Sequence, residues 1–288
     1  MSEFIILTDS ACDIKQELLR EWGVGFCEMT FTFSHKDKQY TNFELTPSDF
    51  YYRMREGAIA KTSAINTDTF IAFFEEYLKD GKDVIYLAFS SGLSSTYNCA
   101  RIAGEELNEK YPDRKIVVVD TLCASAGFGL ILYLAVKKKE QGADIIELAE
   151  YVKNLVPNLC HWFTVDDLVY LKRGGRVSSA VALVGSVLGI KPVLHMDDEG
   201  HLINISKVRG RKAAINALAE KYGELALKND GSPIFISHGD CMEDALTLKK
   251  ILGETYGVDV EIISDIGPVI GAHSGPGTLA LFFTGSKR

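Results

Sequence analysis

Three short segments gather hydroxyl, imidazole and ammonium groups: Lys61-Thr62-Ser63, Ser90-Ser91-Gly92-Leu93-Ser94-Ser95-Thr96 and Gly271-Ala272-His273-Ser274-Gly275-Pro276-Gly277. The second follows an apolar run over 84–89 and opens a helical pattern near Ser94. The first turn of a helix presents unpaired backbone N–H groups and the positive end of its dipole, and hydroxyls at 94–96 add donors. A carboxylate or phosphate fits such a place. One serine merely capping the helix is the plainer account of that segment alone, as a structurally satisfied or surface histidine is of His273. The joint occurrence of the three segments shifts the balance toward a ligand site. The same groups also allow nucleophilic catalysis, with Ser94 or Ser95 as nucleophile, His273 as base and Asp120 or Asp166 orienting it. Against that reading stands the missing G-x-S-x-G elbow.

The elements that must position these groups read as an α/β chain with parallel strands, since short β-branched runs alternate with amphipathic stretches. Strands are expected over 4–8, 84–89, 116–119, 193–196, 234–237 and 260–263. Ligands in open α/β sheets bind at the carboxyl ends of strands, where the hydroxyl segments are expected to lie. Phe70, Phe73, Phe74, Tyr77 and Leu78 form one apolar stripe of a helix over 67–79. Thr46-Pro47-Ser48-Asp49 is a helix start, and Ile215, Leu218, Ala219, Tyr222 and Leu225 mark a second amphipathic helix. The 271–277 segment is expected to be an irregular loop, and Gly127-Phe128-Gly129 to permit close packing. Lys172 and Arg173 suit a helix C-terminus stopped by Gly174-Gly175, with Arg176 beyond it. The uncharged stretch 177–190 is a candidate cavity wall or lid, or equally an ordinary buried helix. A domain boundary is expected near 156–161, where a helical stretch ends at Pro157.

Composition limits the partners. The 288 residues hold 31 Lys plus Arg against 39 Asp plus Glu, a formal charge of −8 without a concentrated basic stripe, which disfavours nucleic acid. With 47% hydrophobic and 24% charged residues the chain is an ordinary globular one. Its 6 cysteines are scattered without metal-ligand spacing, so neither a metal site nor a disulfide framework is expected. No G-x-G-x-x-G, Walker A, H-E-x-x-H or EF-hand pattern occurs, so no cofactor is expected. The apolar run at 4–7 is too short for a signal peptide, and Pro268, Pro276 and five glycines interrupt the uncharged stretch 266–286. A cytoplasmic protein without stable membrane insertion is expected.

Read in order, the motifs resemble the DegV family of bacterial fatty-acid-binding proteins, which includes the FakB subunits of fatty acid kinase. The resemblance runs from Ile6-Leu7-Thr8-Asp9-Ser10 through the first two hydroxyl segments, Val119-Asp120-Thr121, the run from Asp167 to Arg176 and Lys191-Pro192-Val193-Leu194 to the 271–277 segment. It implies two α/β domains: a three-layer, parallel-sheet N-terminal domain over 1–158, and a mixed-sheet C-terminal domain over 159–288 with a fatty acid tunnel. One long-chain fatty acid such as palmitate would lie there with its carboxylate near the junction, contacted by Thr62, Ser94 and His273. Ser95 stands where the family commonly has glycine, and could share the contact. Ala64-Ile65 replaces the family's usual Gln-Pro, which bears on the conformation of that loop. The resemblance further implies a carrier without catalysis of its own. Arg173 and Arg176 would meet a separate, dihydroxyacetone-kinase-like catalytic subunit, which phosphorylates the carboxylate with ATP to supply phospholipid synthesis. Fold-level similarity to the substrate subunits of dihydroxyacetone kinases adds one alternative, a small ketone captured by His273.

Overall fold

The β-branched runs near the N-terminus form a buried parallel sheet. In the computed structural model, which describes residues 3–34, 38–177, 189–227 and 231–288, strand β1 (Phe4–Asp9) is followed by helix α1 (Gln16–Glu21) and strand β2 (Val24–Cys27). After β3 (Thr30–Phe33), β4 (Gln39–Thr41), α2 (Pro47–Arg55) and β5 (Ala60–Ser63) come α3 (Thr67–Lys79), β6 (Asp83–Ala88), α4 (Thr96–Lys110) and β7 (Ile116–Asp120). Strands β2-β1-β6-β7 pair in parallel in that order. Phe70, Phe74 and Leu78 of α3 are buried as the helical stripe requires, while Phe73 and Tyr77 pack at the edge of the core. Thr46 caps α2, its Oγ1 accepting from the Asp49 amide at 3.1 Å.

Strands β3, β4 and β5 form a separate antiparallel sheet, which the sequence pattern did not reveal. Phe31 and Phe33 of β3, Tyr40 of β4, and Phe50 and Tyr51 of α2 make its aromatic core. Thr62 therefore lies inside strand β5, opposite Phe31, and not at the end of a parallel strand.

Helices α5 (Ser125–Glu140) and α6 (Ile145–Leu155) lead to the second sheet. That sheet takes its strands from β8 (Leu159–Thr164), β9 (Ile190–Met196), β10 (Leu202–Arg209), β11 (Phe235–His238), β12 (Ile262–Asp265) and β13 (Leu279–Thr284). Their order is β10-β9-β8-β13-β11-β12, antiparallel except for the β11–β12 pair. The fold is thus two α/β domains, one parallel and one mixed. Strand β12 lies slightly later than the 260–263 expected, and β8 and β13 had no expectation. Both are buried at every position, so neither shows the alternation that marks a one-sided strand. The helices here are α7 (Val169–Gly174), α8 (Arg211–Leu225), α9 (Met242–Tyr256) and α10 (Pro268–Ser274). Of the candidate wall or lid at 177–190, residues 178–188 lie outside the described residues.

Helix α10 corrects the expectation of an irregular loop at 271–277, since residues 271–274 are helical. Pro268 pre-sets the first turn, and Gly271 lets the helix approach α2: a Cβ there would stand 2.4 Å from Tyr51 Oη. Packing rather than helix propensity stabilises this turn.

Helix α5 joins the two sheets. It packs on α6 and on β8, β11 and β13, and one apolar core runs from Ile6 and Leu87 through Phe128 to Phe163, Phe235 and Phe282. The close packing expected at 127–129 is present. A Cβ on Gly127 would fall 2.3 Å from His161 Nε2, and one on Gly129 2.6 Å from Ile14.

Asp13 ties the segment after β1 to α5 and α10. Ser125 Oγ donates to its Oδ2 at 2.5 Å and the Gly267 amide to its Oδ1 at 2.9 Å. Burial, above all, raises its pKa from 3.8 to about 8. The folded chain keeps this proton to higher pH than the unfolded chain does. The group's stabilising contribution is complete below pH 3.8 and is lost as pH rises through about 8. Asp13→Asn removes that dependence. Urea unfolding of both proteins should show the variant gaining on the wild type between pH 5 and 8, by up to about 1.4 kcal/mol per pH unit. A difference independent of pH would contradict it.

Candidate ligand-binding cavity

The sheets, α7 and α10 line a cavity whose interatomic space, with the open solvent of its mouth included, is ≈ 920 Å³. Most of its wall is apolar: Met29, Ala64, Phe89, Leu93 and Ala124 from the first half of the chain, and Phe163, Leu171, Met196, Leu202, Ile266, Val269, Ile270, Ala280 and Phe282 from the second. Both domains therefore contribute.

Thr62, Ser94, Ser95 and His273, singled out from the sequence, all line this cavity. Strand β5 presents Thr62, whose Oγ1 lies 2.8 Å from His273 Nε2 on α10. His273 Nδ1 has no hydrogen-bond partner and abuts the backbone of α7 at Gly174. Burial first, and then the Arg176 cation, lowers the His273 pKa from 6.5 to about 4. The imidazole is thus neutral at pH 7. Ser94 Oγ bonds Thr96 Oγ1 at 2.9 Å and accepts from the Thr96 amide at 3.2 Å, so Ser94 finishes the loop that opens α4. Ser95 is exposed.

The two arginines implied as docking residues are placed differently. Arg173 is exposed on α7, its guanidinium 5.7 Å from the centre of the Tyr170 ring. Arg176 is half-buried and lines the cavity. Its Nε donates to the Leu93 carbonyl at 3.1 Å and its Nη1 to the Gly174 carbonyl, which holds the charge beside the loop bearing Ser94. The sequence pattern assigns Arg176 to docking and does not single out His161 or Ser125, which line the same cavity. In β8, His161 and Phe163 line the cavity and Cys160 and Trp162 belong to a separate core, but all four are buried, so no polarity pattern marks the two faces in the sequence.

This arrangement does not form a nucleophilic triad. His273 is bonded to Thr62 and to neither serine, and its Nδ1 meets no carboxylate. Asp120 accepts from the Ser91 and Leu122 amides, and Asp166 pairs with Lys191. A small ketone would also be poorly matched to so apolar a wall. Among the described residues no group of His, Cys, Asp and Glu is placed to hold a metal ion, and no helix is long and apolar enough to cross a membrane.

Residues 3–285 match a family model whose description reads "Uncharacterised protein, DegV family". A DegV domain-containing protein of Clostridium perfringens is 43% identical over 289 residues, covering 100% of this chain and 99% of its own. Among solved structures, a DegV family protein from Thermus thermophilus, described for its fatty acid binding, superposes with a TM-score of 0.87 at 28% identity, over 99% of this chain and 100% of that one. A stearic acid-binding protein from Eubacterium ventriosum gives a TM-score of 0.88 at 25% identity, over 98% of each chain.

Proposed function

The chain belongs to the DegV family, and from that premise we propose that its cavity holds one long-chain fatty acid, the carboxylate at Thr62, Ser94 and Arg176 and the acyl chain against the apolar wall. The observation that carries this reading is one cavity in which a mostly apolar lining meets the hydroxyls of Thr62 and Ser94 and the Arg176 cation. Burying about fifteen methylenes at ~0.8 kcal/mol each supplies on the order of 12 kcal/mol gross, from which the ordering of ligand and protein subtracts. Affinity thus comes from the chain, and direction from the polar end. A carboxylate taken from water needs donors and an opposite charge. The Thr62 and Ser94 hydroxyls and the Arg176 guanidinium are those groups. With Nε2–H of neutral His273 donating to Thr62 Oγ1, the Thr62 hydroxyl is free to donate to the ligand. Ser95, exposed beside Ser94, offers a further hydroxyl at the mouth.

We further infer that the bound carboxylate is presented to a separate, ATP-dependent kinase subunit, which converts it to an acyl phosphate for phospholipid synthesis in the cytoplasm. This chain then acts as a carrier and not as the catalyst. Supporting this reading, Arg173 is exposed one residue from Gly174, which abuts His273 at the polar end. Charge reversal, Arg173→Glu, should slow acyl phosphate formation several-fold in a reconstituted kinase assay with fatty acid affinity retained. Parallel loss of both would contradict a docking role.

Native mass spectrometry, followed by solvent extraction, tests the carrier reading directly. One long-chain fatty acid per chain is expected, with occupancy strongly reduced when Thr62 and Ser94 are both alanine. Each lost charge-assisted bond is worth about 1.5–3 kcal/mol. A protein that stays free of lipid after incubation with palmitate and oleate overturns the proposal.

A further inference from the structure

The Arg176 guanidinium is seated on a turn that the other domain holds in place. Ser90 follows β6, is 0% exposed and does not itself line the cavity. Its carbonyl accepts from the Leu93 and Ser94 amides at 3.1 and 3.2 Å, and its Oγ accepts from the Gly92 amide at 3.2 Å. These bonds shape the turn over 90–94, whose Leu93 carbonyl receives Arg176 Nε at 3.1 Å and whose Ser94 lines the cavity. The Ser90 hydroxyl hydrogen crosses the domain junction, donating to the Gly200 carbonyl at 2.9 Å. Gly200 lies between β9 and β10, and Met196 and Leu202, on either side of that connection, both line the cavity. The approach is close. A Cβ on Gly92 would stand 2.6 Å from the Gly200 carbonyl oxygen, and one on Gly200, whose φ is +76°, 2.2 Å from Ser90 Oγ.

These contacts close a ring. Val177, next to Arg176, forms a bridge with Leu202, two residues beyond Gly200. From Ser90 the ring runs to Gly200 and Leu202, across to Val177 and Arg176, and back through Leu93 to Ser90. It crosses between the two halves of the chain at two hydrogen bonds, Ser90 to Gly200 and Arg176 to Leu93. A guanidinium held before the ligand arrives loses less freedom on binding, so slackening the first crossing weakens recognition of charge at the second.

We propose that Ser90 is a positioning residue of the carboxylate site: by holding the β9–β10 connection it keeps the Leu93 carbonyl where it seats Arg176, and so sets how strongly a carboxylate is preferred over an uncharged headgroup. The proposal rests on the fatty acid reading above and adds a determinant of headgroup selectivity that lies outside the cavity wall.

The test compares palmitate with hexadecanol, which keeps the acyl chain and lacks the charge, as competitors of a fluorescent fatty acid on delipidated protein. Ser90→Ala should weaken palmitate about three- to tenfold and move hexadecanol less than about twofold. In an Arg176→Ala background, where the positioned group is gone, adding Ser90→Ala should change palmitate affinity less than about twofold, the non-additivity of residues that act through one another. Should Ser90→Ala fail to fold, Gly200→Ala separates the same pair from the other side, and the same loss confined to palmitate is expected. If both ligands weaken alike, Ser90 serves only the shape of the cavity and the proposal falls while the fatty acid reading stands. It falls equally if palmitate affinity is unchanged, or if the loss persists in full without Arg176. If neither ligand displaces the probe from wild-type protein, the fatty acid reading fails and this proposal with it.

Discussion

Replacing Arg176 by alanine is expected to weaken fatty acid binding by about ten- to a hundredfold, the equivalent of one lost charge-assisted hydrogen bond in a partly desolvated site. Arg176 is the cationic side chain of the cavity wall among the described residues, and the neighbouring imidazole of His273 is neutral at pH 7, so no nearby group replaces its charge. The guanidinium is also held in place before the ligand arrives, with Nε on the Leu93 carbonyl and Nη1 on that of Gly174. Such preorganisation lowers the ordering penalty of binding. Arg176→Lys should recover only part of the affinity, since an ammonium keeps the charge but cannot donate to two backbone carbonyls and a carboxylate from one plane. Isothermal titration with palmitate or oleate measures both variants. An alanine variant that binds like the wild type would show that the carboxylate lies elsewhere.

Phe128→Ala should destabilise the protein by about 3–5 kcal/mol, the range for removing a buried aromatic ring that its surroundings refill only in part. Phe128 is 0% exposed on α5, in the core shared by the two sheets. Because α5 packs on strands of the mixed sheet as well as on α6, losing the ring should weaken both halves together. The two tryptophans allow a direct check. Trp22 packs on Tyr133 of α5, 5.5 Å between ring centres, and Trp162 lies in β8. Single-tryptophan versions should report coincident urea transitions, both moved to lower denaturant by Phe128→Ala. Transitions that separate, or that move in one half only, would show that α5 does not couple the domains.

These expectations differ in origin. The periodicity of Phe70, Phe74 and Leu78, the Thr46 cap and the glycines at 127 and 129 act over a few residues or impose a local steric condition, so they were legible in the sequence and recur in the structure. Thr62, Ser94 and His273 were legible as members of ordered motifs. Their chemistry was less so, because neither a strand at Thr62 nor a helix at His273 is signalled by its neighbours.

What the sequence determined by itself is therefore the set of local elements, the α/β class and the polar residues available. The tertiary structure decided which of them meet. Thr62 and His273 are separated by 211 positions yet hydrogen-bonded, and Arg176 lines the cavity while Arg173 stays exposed. Local structure follows from sterics and hydrogen bonds between near neighbours. Such long-range meetings follow only from how large apolar surfaces, here those of α5 and the two sheets, bury one another.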